Sequence, residues 1–319
     1  MDEFRDLEEY MQKVECWAER SGIIKIIPRK EWSESLPRIK EEQLNNVKIS
    51  SPIEQHMQGH AGLFWVENMM RRKYMSVHEW VEIDSEDQKP KTTTEKAVEK
   101  AARDAAFLKT FDPYTHWLPL GAKPSDLTDY TPEFCHLLKR RFWRSCDLDK
   151  SAWYGANSQG TLFTDETQDW NIGHLESALT RLSPSSSQGL PGVNAPYLYC
   201  IMWCTSFAWH IEDMDLFSMN ASPKFWYAIP QGRVGTFKQT MRSVFHSLSA
   251  TSPIPHFLRH KPYLASVTLL AQSSCRPNHC VQHAGEIFIT YLLGYHAGSN
   301  LGLNCTESVN FALDSWISK

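Results

Sequence analysis

From about residue 151 onward, the sequence is a succession of short segments with strand character. They are rich in aromatic and β-branched residues, turn residues separate them, and the clearest cover 197–207, 210–220, 225–229, 286–292 and 308–313. Many short strands without a βαβ alternation argue against a doubly wound parallel sheet and favour a jelly-roll or cupin-like barrel. We therefore predict a mainly β fold with flanking helices, of the α+β class.

One of these segments contains a histidine and a glutamate separated by a single residue. They are His210 and Glu212, and a further histidine, His296, lies far downstream between two glycines. In a regular strand, side chains two positions apart point to the same face. Two histidines and one carboxylate form the metal-binding set of non-haem iron(II) oxygenases, which leaves positions open for other ligands. The residues alone also fit ordinary roles, namely a core histidine, a partnered carboxylate and a turn residue.

Charge and composition narrow the classes of partner. The chain has 319 residues and a formal net charge of −4. That charge gives no basic footprint that would argue for tight binding to a nucleic-acid backbone, and it is too small to establish a basic peptide partner. We expect no sequence-specific nucleic-acid partner. The eight cysteines follow no regular spacing, so we expect reduced thiols in a cytosolic or nuclear protein. No apolar run approaches the roughly 20 residues of a membrane helix, so we expect no membrane partner.

Residues 1–45 are predicted to form a helix–strand module. Over residues 3–19 apolar side chains recur at helical spacing, and a Ser-Gly pair then marks the end of the helix; the apolar residues are Phe4, Leu7, Met11, Val14 and Trp17. Residues 23–27 are nearly all isoleucine and predict a short buried strand that ends at Pro28. So small a module could hardly fold alone.

Residues 46–150 are interpreted as a mixed helical linker, and residues 151–319 as the main domain. A polar and proline-containing stretch at about 84–125, with a helix near 95–109, is typical of a surface insertion. Residues 132–146 predict an amphipathic basic helix. A solvated face is a better explanation than a binding patch for its charges, which are Lys139, Arg140, Arg141 and Arg144.

Longer motifs give the sequence a family resemblance. The segments that closely resemble the JmjC catalytic domain are FAWHIEDMDLFSMN (207–220), WYAIP (226–230), FLRHK (257–261), GYHAG (294–298) and NCTESVNFA (304–312). Residues 3–32, with IIPRKEW near their end, resemble the JmjN module. Together they resemble the JmjN–JmjC histone lysine demethylases, nearest the subfamily that acts on trimethylated lysine 9 and lysine 36 of histone H3. The resemblance implies a double-stranded β-helix for the barrel.

The resemblance also implies a cofactor, a co-substrate and a set of binding residues. The positions that match the family's iron(II) ligands are His210, Glu212 and His296. Those that match its 2-oxoglutarate contacts are Tyr154, Asn220, Lys224 and Phe207. A lysine ammonium and a phenol hydroxyl suit the distal carboxylate of 2-oxoglutarate, because charge-assisted hydrogen bonds are strong. The positions that match the family's substrate contacts, including its methyl-ammonium pocket, are Gly192, Tyr199, Glu212, Ser308, Asn310, Asn157 and Lys261.

Three departures from the family pattern affect these expectations. The segment between Asn220 and Lys224 is shorter than in the family, by an even number of residues, which preserves the facing of the hairpin but brings its turn against the co-substrate site. Ile201 stands where the family has glycine and is expected to narrow the cleft. The family's structural zinc needs three cysteines beside a histidine matching His260. Ile254 replaces one, and the sequence ends before the other two, so we predict no structural zinc.

Three functions follow from the resemblance. The first is an iron(II)/2-oxoglutarate-dependent dioxygenase that demethylates trimethyl- or dimethyl-lysine of histone H3 by N-methyl hydroxylation and formaldehyde release. The second is a catalytically weak or inactive chromatin-binding module, because the hairpin between Asn220 and Lys224 is short. The third is a JmjC hydroxylase of another protein, which the JmjN segment disfavours. A histone substrate implies a nuclear location, a methylated H3 tail as partner and a protein that acts as a monomer.

Overall fold

The computed structural model describes residues 5–37, 39–72, 74–77, 79–80, 131–146, 152–182, 190, 193–220, 224–245, 257–302 and 304–317. Its helices are α1 (Leu7–Ser21), α2 (Lys30–Ser35), α3 (Glu41–Asn46), α4 (Pro132–Ser145), α5 (Ala178–Leu182), α6 (Val234–Val244), α7 (Val267–Gln272) and α8 (Asp314–Ile317). No helix in these ranges is long and apolar enough to cross a membrane.

The strands of the described residues form two antiparallel sheets. In chain order they are β1 (Ile23–Ile26), β2 (Ile53–His60), β3 (Leu63–Met70), β4 (Ala152–Gln159), β5 (Tyr197–Ile201), β6 (Ser206–His210), β7 (Phe217–Asn220), β8 (Lys224–Ala228), β9 (Tyr263–Ala265), β10 (Asn278–Gln282), β11 (Ile287–Thr290), β12 (His296–Asn300) and β13 (Asn304–Phe311). The large sheet has the order β1-β11-β7-β13-β5-β4-β2-β3-β9, and the small sheet has the order β10-β8-β12-β6. The predicted mainly β fold with flanking helices is confirmed.

The N-terminal module is a helix followed by an edge strand of the large sheet. The carboxylate of Asp6 caps α1 by accepting a hydrogen bond from the Glu9 amide at 3.0 Å, and Gly22 ends the helix with a left-handed φ of 78°. Met11 is buried in α1, and β1 pairs with β11. Trp17 shares the helical spacing of the apolar residues in α1 but is 68% exposed.

Residues 46–150, interpreted as a mixed helical linker, contain a β-hairpin at residues 53–70 that the sequence did not predict. β2 and β3 pair along their full length, and Ala61 and Gly62 form the turn with φ angles of 53° and 84°. Two positive φ angles suit the tight hairpin turn that matches the twist of the strands. Gln55 and Met57 are buried in β2, as the alternating faces of a strand require. The proposed insertion at 84–125, with its helix near 95–109, lies outside the described residues.

The two faces of the small sheet have different surroundings. On the outer face, Tyr227 of β8 accepts a hydrogen bond at 3.1 Å from the indole of Trp143 in α4, and the predicted basic helix is thereby packed on the barrel. Phe237 of α6 joins the same apolar cluster. On the inner face of β8, Lys224 and Trp226 line a cavity. The parity of the strand therefore separates an apolar packing face from a polar one.

Residues 210–220 do not form the single strand that the sequence predicted. β6 ends at His210, a 3-10 turn covers Asp213–Asp215, and β7 begins at Phe217. Met214 and Asp215 have left-handed φ angles of 55° and 54°, which redirect the chain from the small sheet to the large one. The side chain at 212 is therefore placed by a loop rather than by strand alternation.

Candidate functional site

His210, Glu212 and His296 meet at the end of two paired strands. His210 ends β6 and His296 begins β12, directly opposite it, with the two ring centroids 4.3 Å apart. Glu212 Oε1 lies 3.4 Å from His296 Nε2. In the described part of the chain, these three side chains are the group that could hold a metal ion, since their ligand atoms all lie within 4.8 Å of one another.

Backbone carbonyls orient both imidazoles. Nδ1 of His210 lies 2.7 Å from the carbonyl oxygen of Ala208, and Nδ1 of His296 lies 2.9 Å from that of Gly294. When Nδ1–H donates to a carbonyl, Nε2 keeps the free lone pair, which is the usual state of a metal-binding histidine. Gly294 is itself held by the N-terminal module, because an added Cβ would lie 2.5 Å from the carbonyl oxygen of Gly22.

The electrostatics of the three residues suit a cation. Burial, followed by the nearby charge of His296, lowers the pKa of His210 to about 3, so its imidazole is neutral at physiological pH. Burial alone would raise the pKa of Glu212, but its hydrogen bond with His296 and the surrounding positive charges lower that pKa to about 2. A neutral imidazole and an ionised carboxylate are the ligand states that a metal requires. Two imidazole nitrogens and one carboxylate fit iron(II).

The three residues open into a cavity of about 410 Å³. Most of the predicted site residues line it: Tyr154, Tyr199, Phe207, His210, Glu212, Asn220, Lys224, Lys261, His296, Ser308 and Asn310. They come from both sheets, so the fold brings together positions that are far apart in the sequence. Gly192 and the side chain of Asn157 lie outside the described residues, and their predicted contacts stay predictions.

Lys224 forms the innermost cationic group of the cavity. Its side chain is 5% exposed, and its ammonium donates to Asn220 Oδ1 at 3.4 Å. The same ammonium lies 5.8 Å from the ring centroid of Phe207 and 5.4 Å from that of Trp226. Burial lowers the pKa of Lys224 to about 7, and the Glu212 carboxylate opposes that shift. An anion inside the cavity would be the natural partner for this ammonium.

Aromatic side chains form one wall of the cavity. Phe207 and Trp226 have ring centroids 4.8 Å apart. Gln282 holds the indole, because its Oε1 accepts from Trp226 Nε1 at 2.8 Å while its Nε2 donates to the carbonyl of Asn220 at 2.8 Å. A Cβ at Gly298 would lie 2.5 Å from the Phe207 ring and 2.2 Å from the carbonyl oxygen of Phe225, so only glycine leaves room for that ring.

Two tyrosines and a serine form a second group in the cavity. The rings of Tyr154 in β4 and Tyr199 in β5 stack with centroids 6.2 Å apart. Burial raises the pKa of Tyr199 to about 12, although its hydrogen bond with Ser308 opposes that shift. Burial also raises the pKa of Tyr154, and the charge of Glu212 adds to this. Both phenols therefore stay protonated and can donate hydrogen bonds.

The sequence analysis missed the contribution of the β2–β3 hairpin. Gln55 is buried, and its Nε2 donates to Asn68 Oδ1 at 3.0 Å and to the carbonyl of Ser206 at 2.9 Å. Its Oε1 accepts from the Ser206 amide at 2.7 Å. All three residues line the cavity. The apolar and aromatic run at residues 63–66, directly after Ala61-Gly62, was the signal for a strand that follows a turn.

Two of the predicted departures concern residues near this site. Ile201 is fully buried and lies opposite Tyr154 and Asn304 in the large sheet. It is not among the residues that line the cavity, so the expected narrowing by Ile201 itself is not observed. His260 is exposed at the end of a 3-10 turn, and Ile254 lies outside the described residues. The expected absence of a structural zinc stays a prediction.

Two family descriptions match the sequence. Residues 197–311 match the JmjC domain, described as a hydroxylase, and residues 1–28 match the jmjN domain. The first match contains all three residues of the candidate metal site. The chain therefore contains one region that matches the jmjN domain and one that matches the JmjC domain, and the resemblance predicted from the motifs is confirmed.

Three relatives place the chain among proteins named for lysine demethylation. It is 34% identical to rat lysine-specific demethylase 4D, 36% identical to mouse lysine-specific demethylase 4B and 33% identical to human probable lysine-specific demethylase 4F. Each similarity covers 99% of this chain, but only 54%, 26% and 43% of the respective relative. The chain thus spans about half or less of the length of these relatives.

Proposed function

We propose that this protein is an iron(II)- and 2-oxoglutarate-dependent dioxygenase that removes methyl groups from trimethyl- or dimethyl-lysine of histone H3. The observation that carries the proposal is the convergence of His210, Glu212 and His296 at the wall of a cavity that also contains a buried lysine. Two histidines and a glutamate that bind a metal ion are compatible with several kinds of reaction. A buried cation at the far end adds the specific requirement for an anionic co-substrate.

Each part of the cavity has a distinct task in this proposal. The two imidazoles and the Glu212 carboxylate would hold iron(II) on one side and leave its other positions open. The Lys224 ammonium and the Tyr154 hydroxyl would bind the distal carboxylate of 2-oxoglutarate through charge-assisted hydrogen bonds, and Asn220 would add an amide contact. The Phe207 ring would pack on the carbon chain of the co-substrate.

Tyr199 and Ser308 would receive the methylated ammonium of the substrate, with Glu212, Asn310 and Lys261 nearby. Oxygen atoms accept a bulky cation through weak polar contacts, which differs from capture by an aromatic cage. When bound, iron(II) and 2-oxoglutarate would allow dioxygen to convert an N-methyl group to N-hydroxymethyl, with one oxygen atom going to that group and the other to 2-oxoglutarate, which is converted to succinate and carbon dioxide. The N-hydroxymethyl product then releases formaldehyde and leaves the lysine with one methyl group fewer.

The nature of the relatives supports a chromatin substrate. Their names describe lysine-specific demethylases, and the motifs are nearest the subfamily that acts on lysine 9 and lysine 36 of histone H3. By this proposal the partner is a methylated H3 tail, the protein acts as a monomer and its location is nuclear.

The direct test is formaldehyde release from H3 peptides trimethylated at lysine 9 or lysine 36. The protein is assayed with iron(II), 2-oxoglutarate and dioxygen, and His210→Ala serves as the matched inactive control. We expect formaldehyde that depends on 2-oxoglutarate and a product lighter by one methyl group in mass spectrometry. A yield no higher than that of His210→Ala would reject the proposal.

A second candidate is a chromatin-binding module with little or no catalysis. It is favoured by the short segment between Asn220 and Lys224 and by the weak 3.4 Å contact between these residues. In this case the protein would bind methylated H3 peptide but would bind 2-oxoglutarate only at millimolar concentrations or not at all. Measuring both affinities on the same preparation separates the two candidates.

A further inference from the structure

The exposed face of α4 carries a row of basic side chains. His136, Arg140 and Arg144 are exposed and follow one another at intervals of four residues, so they lie on the same side of the helix. Successive members are about 6 Å apart along the helix axis. None of the three forms an ion pair with a carboxylate elsewhere in the described chain. The guanidinium groups of Arg140 and Arg144 therefore carry positive charge that is not paired with a carboxylate of the described residues.

This row borders a cavity of about 400 Å³ that is separate from the metal site. The cavity lies between α4, the β2–β3 turn and the start of α7, and its lining includes Gly62, Trp143, Ser266 and Thr268. We refer to it as the basic cleft, defined by His136, Lys139, Arg140 and Arg144, which all line it.

The charges around the basic cleft repel one another. Burial lowers the pKa of Lys139, and the nearby Arg276 lowers it further. Burial likewise lowers the pKa of His279, as do the charges of Lys139, Arg276 and His136. No carboxylate contributes to either shift, so the described surroundings hold positive charge without neutralising it. A bound anion would relieve this repulsion.

The basic cleft lies away from the substrate cavity. Lys139 sits over the rings of Phe225 and Tyr227, at 5.2 and 5.7 Å from their centroids, on the outer face of the small sheet. Lys224 and Trp226, on the inner face of the same strand, line the metal cavity. A ligand in the cleft would therefore leave the metal cavity open to a peptide.

We propose that the basic cleft binds the phosphate backbone of duplex DNA without reading its sequence. The choice of DNA rests on the proposed function, because a histone tail is presented next to DNA. Guanidinium groups suit this role, since their planar donors match phosphate oxygens. Contacts to phosphate position a protein on DNA and carry no base information. The overall charge of −4 does not favour such contacts, so the proposal depends on the local row of basic side chains.

The test is fluorescence anisotropy of a labelled duplex at a series of salt concentrations, without iron or 2-oxoglutarate. The variant is Arg140→Gln/Arg144→Gln. The control is Arg20→Gln/Arg29→Gln, which removes the same charge from two exposed arginines of the N-terminal module. The slope of log affinity against log salt is negative, and in the cleft variant it should be less steep by about 2, because each of the two lost phosphate contacts contributes about 0.9. The ratio of wild-type affinity to cleft-variant affinity should therefore be about twelvefold smaller at 200 mM salt than at 50 mM salt.

Three results would overturn this assignment. One is a wild type that does not bind the duplex at low salt, and another is an equal loss of binding in the control variant. The third is binding of inorganic phosphate in calorimetry without binding of the duplex, which would assign the cleft to a free phosphate compound. The H3 peptide assay reports on the proposed function independently, and the cleft variant should retain wild-type activity in it.

Discussion

The two ends of the central cavity are held in different ways. At the metal end, each histidine is fixed by a short contact from Nδ1 to a backbone carbonyl, at 2.7 Å for His210 and 2.9 Å for His296. At the other end, the Lys224 ammonium has one described hydrogen bond, at 3.4 Å to Asn220, and two aromatic rings beyond 5 Å. One end is braced by the backbone, whereas the other depends on a single side-chain contact.

This difference indicates which end is ready for its ligand. Both imidazoles are already in the orientation that a metal needs, and His210 is also neutral because its pKa is about 3. Lys224 is buried with a pKa of about 7, so its ammonium is only partly protonated at neutral pH. A bound carboxylate would favour the charged form. The metal end is therefore preorganised, and the co-substrate end is completed by the co-substrate itself.

The largest effect on metal affinity is expected when one of the three metal ligands is removed. His210→Ala leaves two of three metal ligands, and we expect metal affinity to fall more than the about 100-fold that loss of an outer-shell partner produces. Equilibrium dialysis with manganese(II), followed by metal analysis, measures this. The control is His60→Ala, an exposed histidine in β2. Unchanged metal content in His210→Ala would show that the ion binds elsewhere.

At the other end, Lys224→Met should weaken 2-oxoglutarate binding and leave metal binding intact. A hydrogen bond to a charged group contributes about 1.5–3 kcal/mol, which corresponds to about a ten- to hundredfold loss of affinity. Calorimetry on manganese-loaded protein measures both ligands. Lys238→Met, at an exposed lysine of α6, is the matched control. Equal 2-oxoglutarate affinity in Lys224→Met and wild type would remove Lys224 from the co-substrate site.

A smaller change tests whether the N-terminal module braces His296. Gly294→Ala would place a Cβ 2.5 Å from the carbonyl oxygen of Gly22 and so displace the carbonyl that orients His296. We expect metal affinity to fall about tenfold in a protein that stays folded by circular dichroism. At Gly235 an added Cβ meets no heavy atom within 4 Å, so Gly235→Ala should bind metal normally. Equal affinities in the two variants would contradict the bracing role.

A last prediction concerns the stability of the protein without metal or co-substrate. The pKa of Lys224 is about 7 in the folded protein, against 10.5 as its ordinary value. Between these values the unfolded chain binds more protons, so the free energy of unfolding should rise with pH, by at most about 1.4 kcal/mol per pH unit. Urea unfolding at pH 7 and pH 9 measures this. Lys224→Met should lack this contribution, and an identical rise in both proteins would show that the burial of Lys224 does not matter.

The sequence motifs predicted the three candidate metal ligands better than the rest of the cavity. His210, Glu212 and His296 were identified from the sequence, yet the reason given for Glu212 was wrong. Strand parity placed it beside His210, but the strand ends at His210 and a loop carries Glu212 to the metal site. The spacing of residues in the sequence does not show where a strand ends. Here the strand ends because the residues that follow it adopt positive φ angles and redirect the chain.

Gln55 and Asn68 could not be found from the motifs, because residues 46–150 were interpreted as helical. The strand that carries Gln55 is mostly polar, so apolar periodicity does not identify it as a strand. Their roles depend on Ser206, which is distant in sequence and adjacent only in the folded barrel. Similarly, the burial of Ile201 away from the cavity followed from packing between strands, which a single position does not reveal.

The most direct measurement of the central claim is 2-oxoglutarate binding to the metal-loaded wild type. Isothermal titration calorimetry with manganese(II) avoids oxidation, and a methylated H3 peptide is titrated into the same preparation. The dioxygenase proposal predicts micromolar 2-oxoglutarate affinity that is lost in His210→Ala. Millimolar or absent 2-oxoglutarate binding, with peptide binding retained, would contradict it and favour the chromatin-binding module.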